Sequence, residues 1–134
     1  MGGGVRGLRV LIAEDDASSL RLYRTYAERR GHTVIATRDG AETLVLAAAE
    51  RPDVILLDIS MPKLDGRDVI RQLKATDHTR RIPILVVSAA GGDPLLRAQL
   101  VELGAQDVVE KPIDLLATFE KAERMAERAR PAPA

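Results

Sequence analysis

Val54-Ile55-Leu56-Leu57-Asp58-Ile59-Ser60-Met61-Pro62-Lys63-Leu64-Asp65-Gly66 joins an unbroken apolar run, a carboxylate at its end, and a turn rich in Pro and Gly. Four apolar residues without polar alternation suit a strand covered on both faces. The arrangement recurs three times. Val10 to Ala13 precedes Glu14-Asp15-Asp16, Ile84 to Val87 precedes Ser88, and Val108-Val109 precedes Glu110-Lys111-Pro112. Laid side by side as parallel strands, the four runs put their carboxyl ends together, where open α/β sheets bind ligands. Carboxylates, a hydroxyl and an ammonium converge there.

Outward from these runs, short apolar stretches alternate with longer segments of helical period, the pattern of βαβ units. Five strands are expected over about residues 8 to 13, 33 to 37, 53 to 57, 83 to 88 and 106 to 109. The first helix covers Ala17 to Arg30, with Leu20, Tyr23 and Ala27 on one side and Gly31 as a left-handed cap. The second opens at Asp39-Gly40-Ala41-Glu42, a capping-box spacing, and runs to Glu50 ahead of Pro52. The third spans Gly66 to Ala75. The fourth begins at Asp93-Pro94, with Asp as N-cap, and carries Leu96, Leu100 and Leu103 before Gly104. The fifth runs from Asp114 to Arg128, burying Leu115, Phe119 and Ala122. Residues 1–6 and 129–134 are expected to be flexible ends around one folded unit, 7–128.

At 134 residues the chain has room for one domain with a real core. Zero formal net charge gives no electrostatic case for nucleic acid or an acidic membrane surface. The absence of cysteine excludes disulfides and thiolate chemistry and fits a reducing compartment, with the cytoplasm as the expected location. No apolar stretch approaches the roughly 20 residues that span a bilayer. Gly2 follows Met1, but Arg6 stands where a myristoylation signal needs Ser or Thr. His32 and His78 read as surface residues in a turn and a loop. Arg80-Arg81 and Arg124, Arg128 and Arg130 have acidic neighbours and read as solvated, and Tyr23 and Tyr26 as helix packing.

The oxygen-rich strand ends suit a hard cation such as Mg²⁺. Glu14, Asp15 and Asp58 supply carboxylates whose mutual repulsion a dication and the Lys111 ammonium would offset. Taken alone, Glu14-Asp15-Asp16 also reads as an acidic loop in which Asp16 or Ser18 caps the first helix. Ser88 alone reads as a strand-end cap, and Lys111 as a solvated loop residue. Asp58 is harder to explain away, because a carboxylate at the mouth of a buried strand is costly to desolvate. Held there, it can attack phosphorus and form an aspartyl phosphate, with Lys111 and Ser88 binding phosphoryl oxygens.

From about Leu8 to Arg128 the chain resembles the receiver domain of two-component response regulators, the family that includes the bacterial chemotaxis receiver. The marks are Glu14-Asp15, Asp58 within Leu56-Leu57-Asp58-Ile59-Ser60-Met61-Pro62, Asp65-Gly66, Ser88 and Lys111-Pro112. The resemblance implies a flavodoxin-like, doubly wound (βα)5 fold with a five-stranded parallel sheet of order 2-1-3-4-5. It implies Asp58 as phosphoacceptor and a Mg²⁺ ion held by Asp15, Asp58 and the main-chain carbonyl of Ser60, with Glu14 acting through the metal's water shell. Lys111 and Ser88 would contact the phosphoryl group, and Lys111-Pro112 would be cis. Ser60 and Ala90 would modulate loss of the phosphate, which the domain catalyses on itself without turning over an external metabolite. The implied partners are a sensor histidine kinase or phosphotransfer protein, and a downstream protein bound through helix four, strand five and helix five. A monomer or weak homodimer is expected.

The chain departs from the family pattern at Val108, where an aromatic residue is usual and its rotation accompanies movement of the Ser or Thr. The small residues Ala89-Ala90-Gly91-Gly92 leave loop movement as another route. Only a Pro-Ala tail follows helix five, so the chain reads as a stand-alone receiver or one cut at a linker. The rivals are an interaction module that works without phosphate, a phosphohydrolase acting on external substrates, and a flavin carrier. Ser60 stands where such phosphohydrolases place a second Asp, and an acidic first loop is unsuited to cradling a flavin phosphate.

Overall fold

The four functional runs and Thr33–Thr37 form one sheet in the computed structural model, which describes residues 7–63 and 65–130. The element order is β1 (Arg9–Ala13), α1 (Ala17–Arg29), β2 (Thr33–Thr37), α2 (Gly40–Glu50), β3 (Val54–Asp58), α3 (Gly66–Ala75), β4 (Ile84–Ser88), α4 (Pro94–Leu103), β5 (Asp107–Glu110) and α5 (Leu115–Ala129). All pairings are parallel, in the order β2-β1-β3-β4-β5. The sequence-based ends shift by about one residue, within the spread of boundary definitions. The shift at β3 matters, because it brings Asp58 into the ladder, where Ser88 is already expected at the end of β4. Asp58 pairs with Val87, and Ser88 with Glu110.

Side-chain alternation divides the core in two. Leu11, Ala13, Ile55, Leu57, Ile84, Val86 and Val108 pack with Ala47, Val69, Ile70, Leu73 and Leu100 of α2, α3 and α4. Their strand neighbours Val10, Ile12, Val54, Leu56, Leu85 and Val87 pack with Tyr23 and Ala27 of α1 and Phe119, Ala122 and Ala126 of α5. Each fully buried Leu, Ile or Phe contributes about 1.5–3 kcal/mol of transfer free energy. The continuous apolar runs are required because both faces are covered.

Every helix starts on an aspartate. Asp16, Asp39, Asp65, Asp93 and Asp114 accept hydrogen bonds from the N–H groups of Ser19, Glu42, Arg67, Leu95 and Ala117, respectively. Such a cap is worth about 1 kcal/mol over Ala. The capping box at α2 is displaced, since the Glu42 carboxylate accepts from Arg38 N–H rather than from Asp39. Gly31 and Gly104 take positive φ after α1 and α4, 95° and 125°. α5 extends one residue past its expected end, to Ala129. Of the expected flexible ends, 1–6 and 129–134, residues 1–6 and 131–134 lie outside the described residues, as does Leu64 within the turn.

His32 is a correction. Sequence alone puts it at the surface, but it is buried at the amino end of the sheet. Its Nδ1 accepts from Leu8 N–H at 3.3 Å, and its Nε2 lies 2.6 Å from Glu123 Oε2. Arg30 donates to both oxygens of Glu123. Tyr26 packs against Phe119 with ring centroids 5.4 Å apart, as helix packing predicts. Among the described residues, no helix is long and apolar enough to cross a membrane.

Candidate functional site

The carboxyl ends of β1, β3, β4 and β5 present Glu14, Asp58, Ser88 and Lys111 to one point. Parallel pairing fixes this juxtaposition, because adjacent strands end at matched register. Lys111 Nζ donates to Asp58 Oδ2 at 2.9 Å and to Glu14 Oε1 at 3.1 Å. The other oxygen of each carboxylate is held by backbone: Asp58 Oδ1 accepts from Ser60 N–H at 2.9 Å, and Glu14 Oε2 from Asp16 N–H at 3.1 Å. Asp58 is therefore fixed in orientation before any ligand arrives.

Ser88 is buried at the end of β4. Its hydroxyl accepts from Ala90 N–H at 3.1 Å and keeps its own proton to donate. Its carbonyl accepts from both Gly91 N–H and Lys111 N–H, tying the loop after β4 to the end of β5. The Lys111–Pro112 peptide bond is cis. Ala90 and Ser60 are exposed, whereas Val108 is buried in the core beneath α4.

The electrostatics are unbalanced. Three carboxylates, Glu14, Asp15 and Asp58, face one ammonium. Burial pushes the Glu14 carboxyl above its ordinary pKa, and Asp58 adds to the rise against the pull of Asp16 N–H and Lys111. Burial alone would lower Lys111, but its hydrogen bonds to Asp58 and Glu14 win and raise it. Lys111 thus stays cationic while one nearby carboxylate is discouraged from ionising.

Each of Glu14, Asp15 and Asp58 offers an oxygen, and the three oxygens lie within 4.8 Å of one another. An all-oxygen, carboxylate-rich donor set matches Mg²⁺ or another hard dication in chemistry, and a charge of two would cancel the excess. Asp15 is exposed, unlike Glu14 and Asp58. Sequence reasoning missed the residue that holds the acidic loop: Arg38 Nη2 donates to the Asp15 carbonyl at 3.1 Å. The signal was the end of β2, where Thr37 is followed by a cation just as the other strands end in polar groups.

The sequence profile of the response regulator receiver domain matches residues 10–123. The polar-differentiation response regulator DivK of Brucella anthropi is 37% identical over 108 residues, covering 79% of this chain and 85% of DivK. The response regulator PleD of Caulobacter vibrioides is 36% identical over 117 residues, and the chain spans about a quarter of its length, 26%. Among solved structures, the receiver domain of a Pseudomonas aeruginosa sensor histidine kinase has a magnesium ion coordinated in its active-site cleft. It superposes with a TM-score of 0.82 at 26% identity, covering 90% of this chain and 98% of its own.

Proposed function

The chain belongs to the response regulator receiver domain family, and from that premise we propose that it is a phosphorylation-switched signalling receiver with Asp58 as phosphoacceptor. The observation that carries this reading is the preset Asp58 carboxylate, one oxygen on Ser60 N–H and the other on Lys111. That orientation suits in-line attack on phosphorus. Asp58 attacks the phosphohistidine of a sensor kinase or phosphotransfer protein. An O–P bond forms as the N–P bond breaks, and the electron pair returns to the imidazole.

Lys111 releases its hold on the Asp58 oxygen to bind a phosphoryl oxygen, and Ser88 donates its free hydroxyl proton to another. Glu14, Asp15 and Asp58, with the Ser60 carbonyl, would hold Mg²⁺, which supplies positive charge against the phosphoryl oxygens when bound. Drawing Ser88 inward moves the loop it shares with Gly91, and α4, β5 and α5 carry the change to a downstream protein. Exposed Leu95, Val101 and Leu116 on α4 and α5 provide apolar contact area for that partner. The domain dephosphorylates itself, with Ser60 and Ala90 beside the path of water, and works in the cytoplasm as a monomer or weak homodimer.

Val108 in the buried strand favours a second reading, a receiver-like module that binds partners without phosphate. Beryllofluoride, a mimic of the aspartyl phosphate, separates the two. Fluorine NMR should show Mg²⁺-dependent binding to the native chain and none to Asp58→Asn. An absence of binding to the native chain sinks the phosphoswitch.

A further inference from the structure

We propose that Arg97 is the positioning residue that couples the loop after Ser88 to β5 and α5, through a polar relay running Gly91, Arg97, Asp107, Lys121. The proposal rests on Asp58 being the phosphoacceptor and concerns how its state leaves the site. Val108 offers neither a polar atom nor a long side chain to serve as a lever, so coupling across β5 must run through other groups. Arg97, on the first turn of α4, is aimed at them.

The loop lies flush on β5. A Cβ on Gly91 would sit 2.7 Å from the Val109 carbonyl and 2.8 Å from Glu110 Cα, so only glycine permits the approach. The Arg97 guanidinium is stitched into this contact from above. Nη1 donates to the Gly91 carbonyl at 3.4 Å and also to the Val108 carbonyl, and Nη2 donates to Asp107 Oδ1 at 2.9 Å. Asp107 Oδ2 in turn accepts from Lys121 Nζ of α5 at 2.5 Å. Burial would raise the Asp107 carboxyl, but Lys121, Val108 N–H and Arg97 hold it below its ordinary range, so it stays an anion between two cations. One planar side chain therefore touches the loop, the strand and, through one carboxylate, the last helix.

The relay is graded. Its contact with the loop is the longest, and its contacts with β5 and Asp107 are short. When Ser88 moves toward the phosphoryl group it draws Ala90 and Gly91 along, because Ser88 holds both of their N–H groups. The long Gly91 contact yields first. Arg97 then redistributes over Val108 and Asp107, and Lys121 responds in α5.

Amide NMR on the full chain, with and without Mg²⁺ and beryllofluoride, tests this. The reporter is Lys121 and its α5 neighbours, which belong to a helix outside the phosphorylation site. In the native chain, Ala89 to Gly92 and the Lys121 region both shift on ligand binding. In Arg97→Gln the Ala89 to Gly92 shifts stay at native size, while the Lys121 shifts fall several-fold. Arg97 is 42% exposed, so the substitution opens no core cavity. Asp107→Asn, which cuts the same relay from its other side, should reproduce the loss, and the double variant should add nothing further. Native-size Lys121 shifts in either single variant overturn the relay while leaving the phosphoswitch standing. A native chain without shifts at Ala89 to Gly92 overturns both.

Discussion

Two buried glutamates sit at opposite ends of the same sheet, and their surroundings push them in opposite directions. At the carboxyl end, Glu14 shares one lysine with Asp58 and is raised by burial and by that second carboxylate. At the amino end, burial also acts to raise Glu123, but Arg30 and His32 donate to it and hold it low. Burial is common to both, so the balance of nearby charge decides. The amino end is a closed polar cluster that stabilises the fold. The carboxyl end is left short of positive charge, which costs stability in the free protein and suits it to bind cations and a phosphoryl group.

Removing Glu123 breaks the comparison most severely. Glu123→Ala strands Arg30 and buried His32 without their acceptor, and urea unfolding should show a loss of about 3 kcal/mol. That is the low end for a buried pair, because Arg30 keeps 22% of its side chain exposed. Glu14→Gln should do the opposite, stabilising the metal-free chain near neutral pH by roughly 1 kcal/mol as a neutral group of the same shape replaces a repelled charge. The same variant should bind Mg²⁺ more weakly, as isothermal titration would show.

Acidity sharpens the contrast. Glu123 titrates below its unfolded value, so its contribution is present above the ordinary carboxyl range and is lost as pH falls through the folded value. Glu14 titrates above its unfolded value, so its contribution is present below the ordinary range and is lost as pH rises through the folded value. Unfolding followed from about pH 7 down to about pH 4 should therefore shrink the deficit of Glu123→Gln and also shrink the advantage of Glu14→Gln. The metal acts in the opposite sense. Mg²⁺ at ten times its Kd should stabilise the native chain by about 1.4 kcal/mol, enough to reverse its ranking against Glu14→Gln. The thermal midpoint of Asp58→Asn should move much less.

What sequence made legible was whatever is local along the chain. Unbroken apolar runs exposed the strands, Asp39 and Asp93 marked helix starts, and Asp58 and Lys111 declared themselves by ending strands. Parallel topology then brought those ends together without further information. The missed features depend on side chains reaching across the fold. His32 follows a glycine turn and looks solvated, and its partner Glu123 lies 91 positions away, on a helix whose pattern shows only that it is amphipathic. Arg38 and Arg97 are ordinary surface cations until the loop carbonyls they cap are placed beside them. Glu42 reached Arg38 N–H instead of Asp39 N–H, a difference of one residue that spacing does not resolve.

The most direct test is intact mass after incubation with Mg²⁺ and acetyl phosphate or phosphoramidate, for the native chain and for Asp58→Asn. The expected result is a labile gain of one phosphoryl group that requires Mg²⁺ and is absent from the variant. An equal gain in Asp58→Asn, or no gain in the native chain with either donor or with a phosphorylated histidine kinase, contradicts the assignment of Asp58 as phosphoacceptor.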